Sequence, residues 1–166
     1  MVKLAKPLLV SLAIVGAVGS QSAQAATATT TFPVSATVLK VCVVTANPLN
    51  FGNYDPTSAT DLDGTTTVQT LCTVGTSYTV GLNAGTGSGA TVSARKMTNG
   101  ANTLNYALYQ DTGRSTNWGN TPGTDTPTAV TAPIGLSTVS VYGRVAASQN
   151  VPVGSYSDTV TVTVTY

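Results

Sequence analysis

Acid–base catalysis near neutral pH needs a side chain that can take and return a proton, and this 166-residue chain contains no histidine and no glutamate. A hydrolytic triad would therefore lack its usual base. All six carboxylates are aspartates. Asp61 and Asp63 are neighbours in sequence, while Asp55, Asp111, Asp125 and Asp158 are scattered. Each has Pro, Gly, Thr or Ser nearby, the setting of turn and cap residues rather than of a glycosidase pair. Asp61-Leu62-Asp63-Gly64 has part of a calcium loop but no Glu to supply the bidentate ligand. Arg95 and Lys96 are candidates for holding an anion, and Trp118, with Asn117 and Asn120 beside it, for stacking on a sugar. Arg114 and Arg144 read as surface or sheet-rim residues. The glycine-rich run Asn83 to Gly89 lacks the lysine and the following helix of a phosphate cradle. No catalytic residue, metal site or cofactor is expected, and the chain does not read as an enzyme.

Cys42 and Cys72 are the only cysteines. The chain starts with Lys3 and Lys6, an apolar run from Leu8 to Val18 and the small-residue site Ala23-Gln24-Ala25, which together read as a secretory signal over residues 1–25. Export leads to an oxidising compartment, so the two cysteines are read as one disulfide closing a loop of about thirty residues, worth roughly 3 to 4 kcal/mol in the chain-entropy model. Without the presequence, five Lys and Arg face six Asp. That balance is neither a nucleic-acid footprint nor a polybasic membrane patch. Charged residues make up 8% of the chain, and a surface so sparsely charged does little to resist association.

The elements that would carry a function are strands. From Thr159 to Tyr166 the sequence alternates without interruption, placing Val160, Val162, Val164 and Tyr166 on one face and threonines on the other. That pattern predicts a core-lining last strand with a free edge. A second long alternation covers Ala28 to Val38, with Phe32, Val34, Ala36 and Val38 on one face and Ala28 and Thr30 extending it. Pro33, which has no N–H to donate, puts this segment at a sheet edge or turns that position away from its partner. Lys40 then breaks the phase, and Leu39, Val41 and Val43 open an odd-numbered one in a strand around Val41 to Val44.

Asn47 to Pro56 is a short apolar piece framed by turn residues, and Asp61 to Gly64 reads as a turn-rich loop. Val68, Thr70, Cys72 and Val74 share a face, as do Tyr78, Val80 and Leu82, then Leu104, Tyr106 and Leu108, then Val139, Val141 and Val145. Gly113 to Pro127, with Trp118, reads as a surface loop. Seven or eight short strands without helical periodicity after residue 25 predict an all-β fold, a single antiparallel immunoglobulin-like β-sandwich.

Several pieces taken together resemble the spore coat protein U family, which includes subunits of archaic (Csu-type) chaperone-usher pili. They are Pro48-Leu49-Asn50-Phe51-Gly52 with Tyr54; Leu104-Asn105-Tyr106-Ala107-Leu108-Tyr109 with Arg114 and Trp118-Gly119; Val141-Tyr142-Gly143-Arg144; and Val151-Pro152 to Tyr166. The family's two cysteines match Cys42 and Cys72. The resemblance implies a sandwich that lacks its last strand. A PapD-like periplasmic chaperone would hold it, an outer-membrane usher would polymerise it with homologous subunits, and the pilus would serve adhesion and biofilm formation at the cell surface.

On this reading residues 26–38 are a donor-strand extension and residues 39–166 the domain. Ala28, Thr30, Phe32, Val34, Ala36 and Val38 are the donor positions; Val160, Val162, Val164 and Tyr166 are the acceptor edge of the neighbouring subunit. An N-terminal segment seen in a lone chain would then lie in its own groove or hang free. A shaft or adaptor subunit is expected, since 141 residues leave no room for the receptor-binding domain of a tip adhesin. A stand-alone secreted carbohydrate-binding sandwich and a structural protein of a spore or cyst coat are the competing expectations.

Overall fold

The computed structural model describes residues 24–166, so the expected presequence lies outside the described residues except for Gln24 and Ala25. The chain divides into two compact units, Met1–Ala36 and Thr37–Tyr166. The described part of the first, residues 24–36, contains no strand, and its side chains are exposed. The alternation from Ala28 to Val38 therefore forms no ladder in the lone chain. An extended segment becomes a strand only when a neighbour accepts and donates its backbone hydrogen bonds.

The second unit is all-β among the described residues: β1 (Cys42–Ala46), β2 (Leu62–Cys72), β3 (Ser77–Leu82), β4 (Arg95–Asn99), β5 (Asn102–Tyr109), β6 (Val130–Thr131), β7 (Ser137–Val145) and β8 (Val162–Thr165). They form a five-stranded sheet in the order β1-β2-β7-β5-β4 and a three-stranded sheet in the order β6-β3-β8, every pairing antiparallel. The expected faces close on one another. Val68, Thr70 and Cys72 of β2, Tyr78, Val80 and Leu82 of β3, and Leu104, Tyr106 and Leu108 of β5 are buried, with Val141 and Val145 of β7. Val74 lies beyond the end of β2 and is exposed.

Four expectations need correction. In β1 the inward residues are the even-numbered Cys42 and Val44, while Val41 and Val43 are exposed. Apolar residues on both faces leave periodicity without a preference there, and the phase is set by the Cys42–Cys72 disulfide, whose residues sit opposite each other across β1 and β2. Leu62 to Gly64 belong to β2 instead of a loop, because their partners Gly143 to Val145 continue the ladder. The last strand is shorter than its alternation and starts at Val162. Trp118 is wholly buried, its Nε1 donating to the Val80 carbonyl at 2.8 Å, so the irregular stretch around it turns into the core.

Arg95, too, has no exposed surface. Its guanidinium donates to the carbonyls of Asn83, Val92, Leu82 and Trp118 at 2.6–2.8 Å, tying β3, β4 and the tryptophan stretch together. Buried, and with four of its five N–H donors so engaged, this side chain holds the fold and is closed to an anion from solvent. Replacing Arg95 with Met should strand those carbonyls without donors and cost about 3–5 kcal/mol. Urea unfolding measures this, and a loss below about 1 kcal/mol would contradict the role.

Candidate functional site

The two sheets do not close along their whole length. β1 runs beside β8, but past Ala46 the chain leaves the sheet, and an open cleft begins. One wall is the irregular stretch from Ala46 to Pro56, the other the stretch from Val162 back to Val151. The floor includes Val68, Leu82, Tyr106, Leu108 and Val141, with Leu104 and Val145 at the far end. Two compartments of about 590 and 640 Å³ lie end to end and share Leu49, Phe51, Met97 and Tyr156 as their boundary.

Each wall is positioned by identifiable contacts. On the first, Leu49 and Phe51 rest on a flat patch made by Gly64 and Gly143, which face each other across β2 and β7. A Cβ on Gly143 would come within 2.6 Å of Leu49 Cδ2 and 2.7 Å of Phe51 Cζ, so side chains there would lift the wall away. Phe51 also meets Tyr106 edge-on, with ring centroids 6.1 Å apart. Farther along, the Tyr54 hydroxyl donates to the Ala146 carbonyl and accepts from Gln149 N–H.

On the second wall, Ser157 exchanges two backbone bonds with Thr98 of β4. Asp158 then anchors the turn toward β3: its carboxylate accepts from Thr86 N–H and hydroxyl, from the Tyr106 hydroxyl and from Thr159 N–H, at 2.7–2.9 Å. Partial burial opposes the charged form of Asp158, but these hydrogen bonds outweigh it and hold the carboxyl below the usual carboxylate range. Burial, and then the bond to Asp158, push the Tyr106 phenol well above its ordinary pKa.

Between these anchors some backbone groups have no protein partner. Among the described residues, no protein group accepts a hydrogen bond from the N–H of Leu49 or Phe51 on one wall, or of Val160 on the other. β8 is bonded to β3 on one side only and ends its sheet on the other. The cleft thus has an apolar floor and two edges with spare hydrogen-bonding groups, the chemistry of a site for an extended peptide.

The expected acceptor residues divide. Val160 and Val162 line the cleft; Val164 packs against the core, and Tyr166 is half exposed, neither of them lining it. The donor positions Ala28, Thr30, Phe32, Val34, Ala36 and Val38 are all exposed and outside any strand. Of the sugar and anion candidates, Trp118 and Arg95 are sealed in the core and out of reach of a ligand. Asp61 and Asp63 are ion-paired with Arg144, and Asp63 also with Arg114. The hydrogen bond from Arg144, foremost, lowers the pKa of Asp63. Sequence reasoning missed Leu49, Phe51, Tyr156 and Asp158 as cleft residues. Their backbone is irregular, so no alternation marks them, although all four stand inside the motifs that carry the family resemblance.

Residues 28–163 match the family model of the Spore Coat Protein U domain. A curated relative, Protein U of Myxococcus xanthus, is 40% identical over 160 residues, covering 87% of this chain and 88% of its own. Among solved structures, the fold is similar to a chain in a chaperone–tip adhesion subunit pre-assembly complex from the archaic chaperone-usher Csu pili of Acinetobacter baumannii, with a TM-score of 0.58 and 24% identity. That alignment covers 78% of this chain and spans 40% of the length of the solved one.

Asp158 makes the second wall sensitive to acid. A carboxyl with a lowered folded pKa contributes its full stabilisation above its unfolded value near 4, and loses it as pH falls through the lowered one. The melting temperature should therefore fall as pH drops below about 4. Asp158→Asn should lower it at pH 7 and flatten the acid limb; an unchanged limb would contradict the anchor.

Proposed function

This chain belongs to the Spore Coat Protein U domain family, and from that premise we propose that it is a structural subunit, shaft or adaptor, of a chaperone-usher pilus. It polymerises by donor-strand complementation. The observation that carries this reading is the open cleft between residues 46–56 and 151–162, an apolar trough whose edges have backbone N–H groups without partners.

Ala28 to Val38 has the complementary character. Phe32 and Val34 are about four-fifths exposed, apolar side chains that the lone chain leaves in water. Laid into the cleft of another subunit, the segment would supply backbone bonds to both walls and apolar side chains to the floor. Burying each Phe or Val is worth about 1.5–3 kcal/mol, and the ladder would set the register. Release would expose the whole trough at once, which makes the joint slow to open. Until the segment arrives, an apolar cleft of this size needs protection. A periplasmic chaperone and an outer-membrane usher fit that need, with the assembled fibre at the cell surface for adhesion and biofilm formation.

The likeness to Protein U and the family's description favour a second setting, a spore coat component. It would use the same joint between subunits. A monomeric sugar-binding role has lost its motivating feature with the burial of Trp118.

Val34→Asp places a charge on the face that would enter the trough. Expected outcome: the secreted protein remains folded and exported but forms no polymer, as read by size-exclusion chromatography and electron microscopy. Fibres of normal length from this variant would overturn the assignment.

A further inference from the structure

The place where the leading segment joins the domain is held by one side chain. Thr73 follows Cys72, and its Oγ1 accepts from Val41 N–H at 3.1 Å and donates to the Leu39 carbonyl at 2.9 Å. Its own N–H donates to the Val41 carbonyl at 2.9 Å. With the adjoining Cys42–Cys72 disulfide, these bonds extend the pairing of β1 and β2 backward through Leu39. β1 runs from Cys42 to Ala46, and the cleft begins at Ala46. The root, Leu39 to Val41, therefore lies at the end of β1 opposite the cleft.

For the segment to fill the cleft of its own molecule, it would have to reverse at the root and run back beside Leu39 to Ala46, eight positions. A tight reversal uses about two more residues. Of the thirteen residues from Ala26 to Val38, roughly three would remain to enter the trough, and the Phe32 to Val38 face would be spent alongside β1. Val38-Leu39-Lys40-Val41 also contains no Gly, Pro, Asn or Asp to favour a turn.

Building on the function proposed above, we propose that Thr73 is a positioning residue that fixes the root of the donor segment at the end of β1 opposite the cleft, so that a second copy of this chain is the acceptor. The joint between subunits is thereby directed at the root of the donor as well as in the acceptor.

The test compares the unaltered mature chain with Thr73→Val, with Thr73→Ser, and with Thr73→Val plus a Gly/Ser insert of about twenty residues between Val38 and Leu39. The mean reach of that insert, roughly 25 Å, matches the extended length of Leu39 to Ala46. Each is refolded at low concentration and analysed by native mass spectrometry and thermal melting. Thr73→Ser should assemble like the unaltered chain. Thr73→Val should raise the monomer fraction several-fold, and the inserted variant should be mostly monomer that melts well above the Val34→Asp monomer because its own segment fills the trough. If Thr73→Val or the inserted variant assembles like the unaltered chain, or the inserted variant gives monomers that melt no higher than Val34→Asp, the inference is overturned while Val34-dependent assembly still stands. Assembly indifferent to Val34→Asp overturns the parent reading and this inference with it.

Discussion

An extended backbone at the rim of a sheet carries hydrogen-bonding groups at fixed spacing, and those groups must be satisfied by water or by another strand. The rest of this molecule is arranged around two such rims that face each other across an apolar floor. Among the described residues no backbone hydrogen bond joins the walls, and the first is irregular past the end of β1. A cleft with such rims has the chemistry to take up one more extended segment.

Holding the walls apart is a specific structural task. The glycine pair Gly64 and Gly143 gives Leu49 and Phe51 a flat seat, so the first wall stays against the floor instead of collapsing across the opening. Asp158, bonded to Tyr106 and Thr86, fixes the second wall where it crosses from β4 toward β3. Beneath them Arg95 joins the carbonyls of separate segments and lets Trp118 stay buried with its N–H paired. A buried cation of this kind is costly unless its donors are engaged, and here four of the five N–H groups are directed at carbonyls.

Much of the sandwich was legible because its strands alternate cleanly: Tyr78, Val80 and Leu82, or Leu104, Tyr106 and Leu108, have one buried face and read as such. Periodicity failed where both faces are apolar, as at Val41 to Val44, and there the disulfide decides the phase. It also failed for residues whose role depends on distant partners. Arg95 and Trp118 look like surface ligand-binding groups in sequence, and only the carbonyls brought to them by folding make burial favourable. The second wall was partly visible in the terminal alternation. The first was not, since Pro48 to Tyr54 packs its apolar residues from an irregular backbone.

The central claim, that the cleft accepts the extended segment of another molecule, is tested most directly by amide hydrogen exchange on a chain lacking residues 26–38, with and without a synthetic peptide of that sequence. The account predicts that the peptide slows exchange along both walls, at Leu49 and Phe51 and at Val160, while the outer face of β2 and β7 is unaffected. Unchanged exchange at those amides under saturating peptide, or protection confined to some other surface, would contradict it.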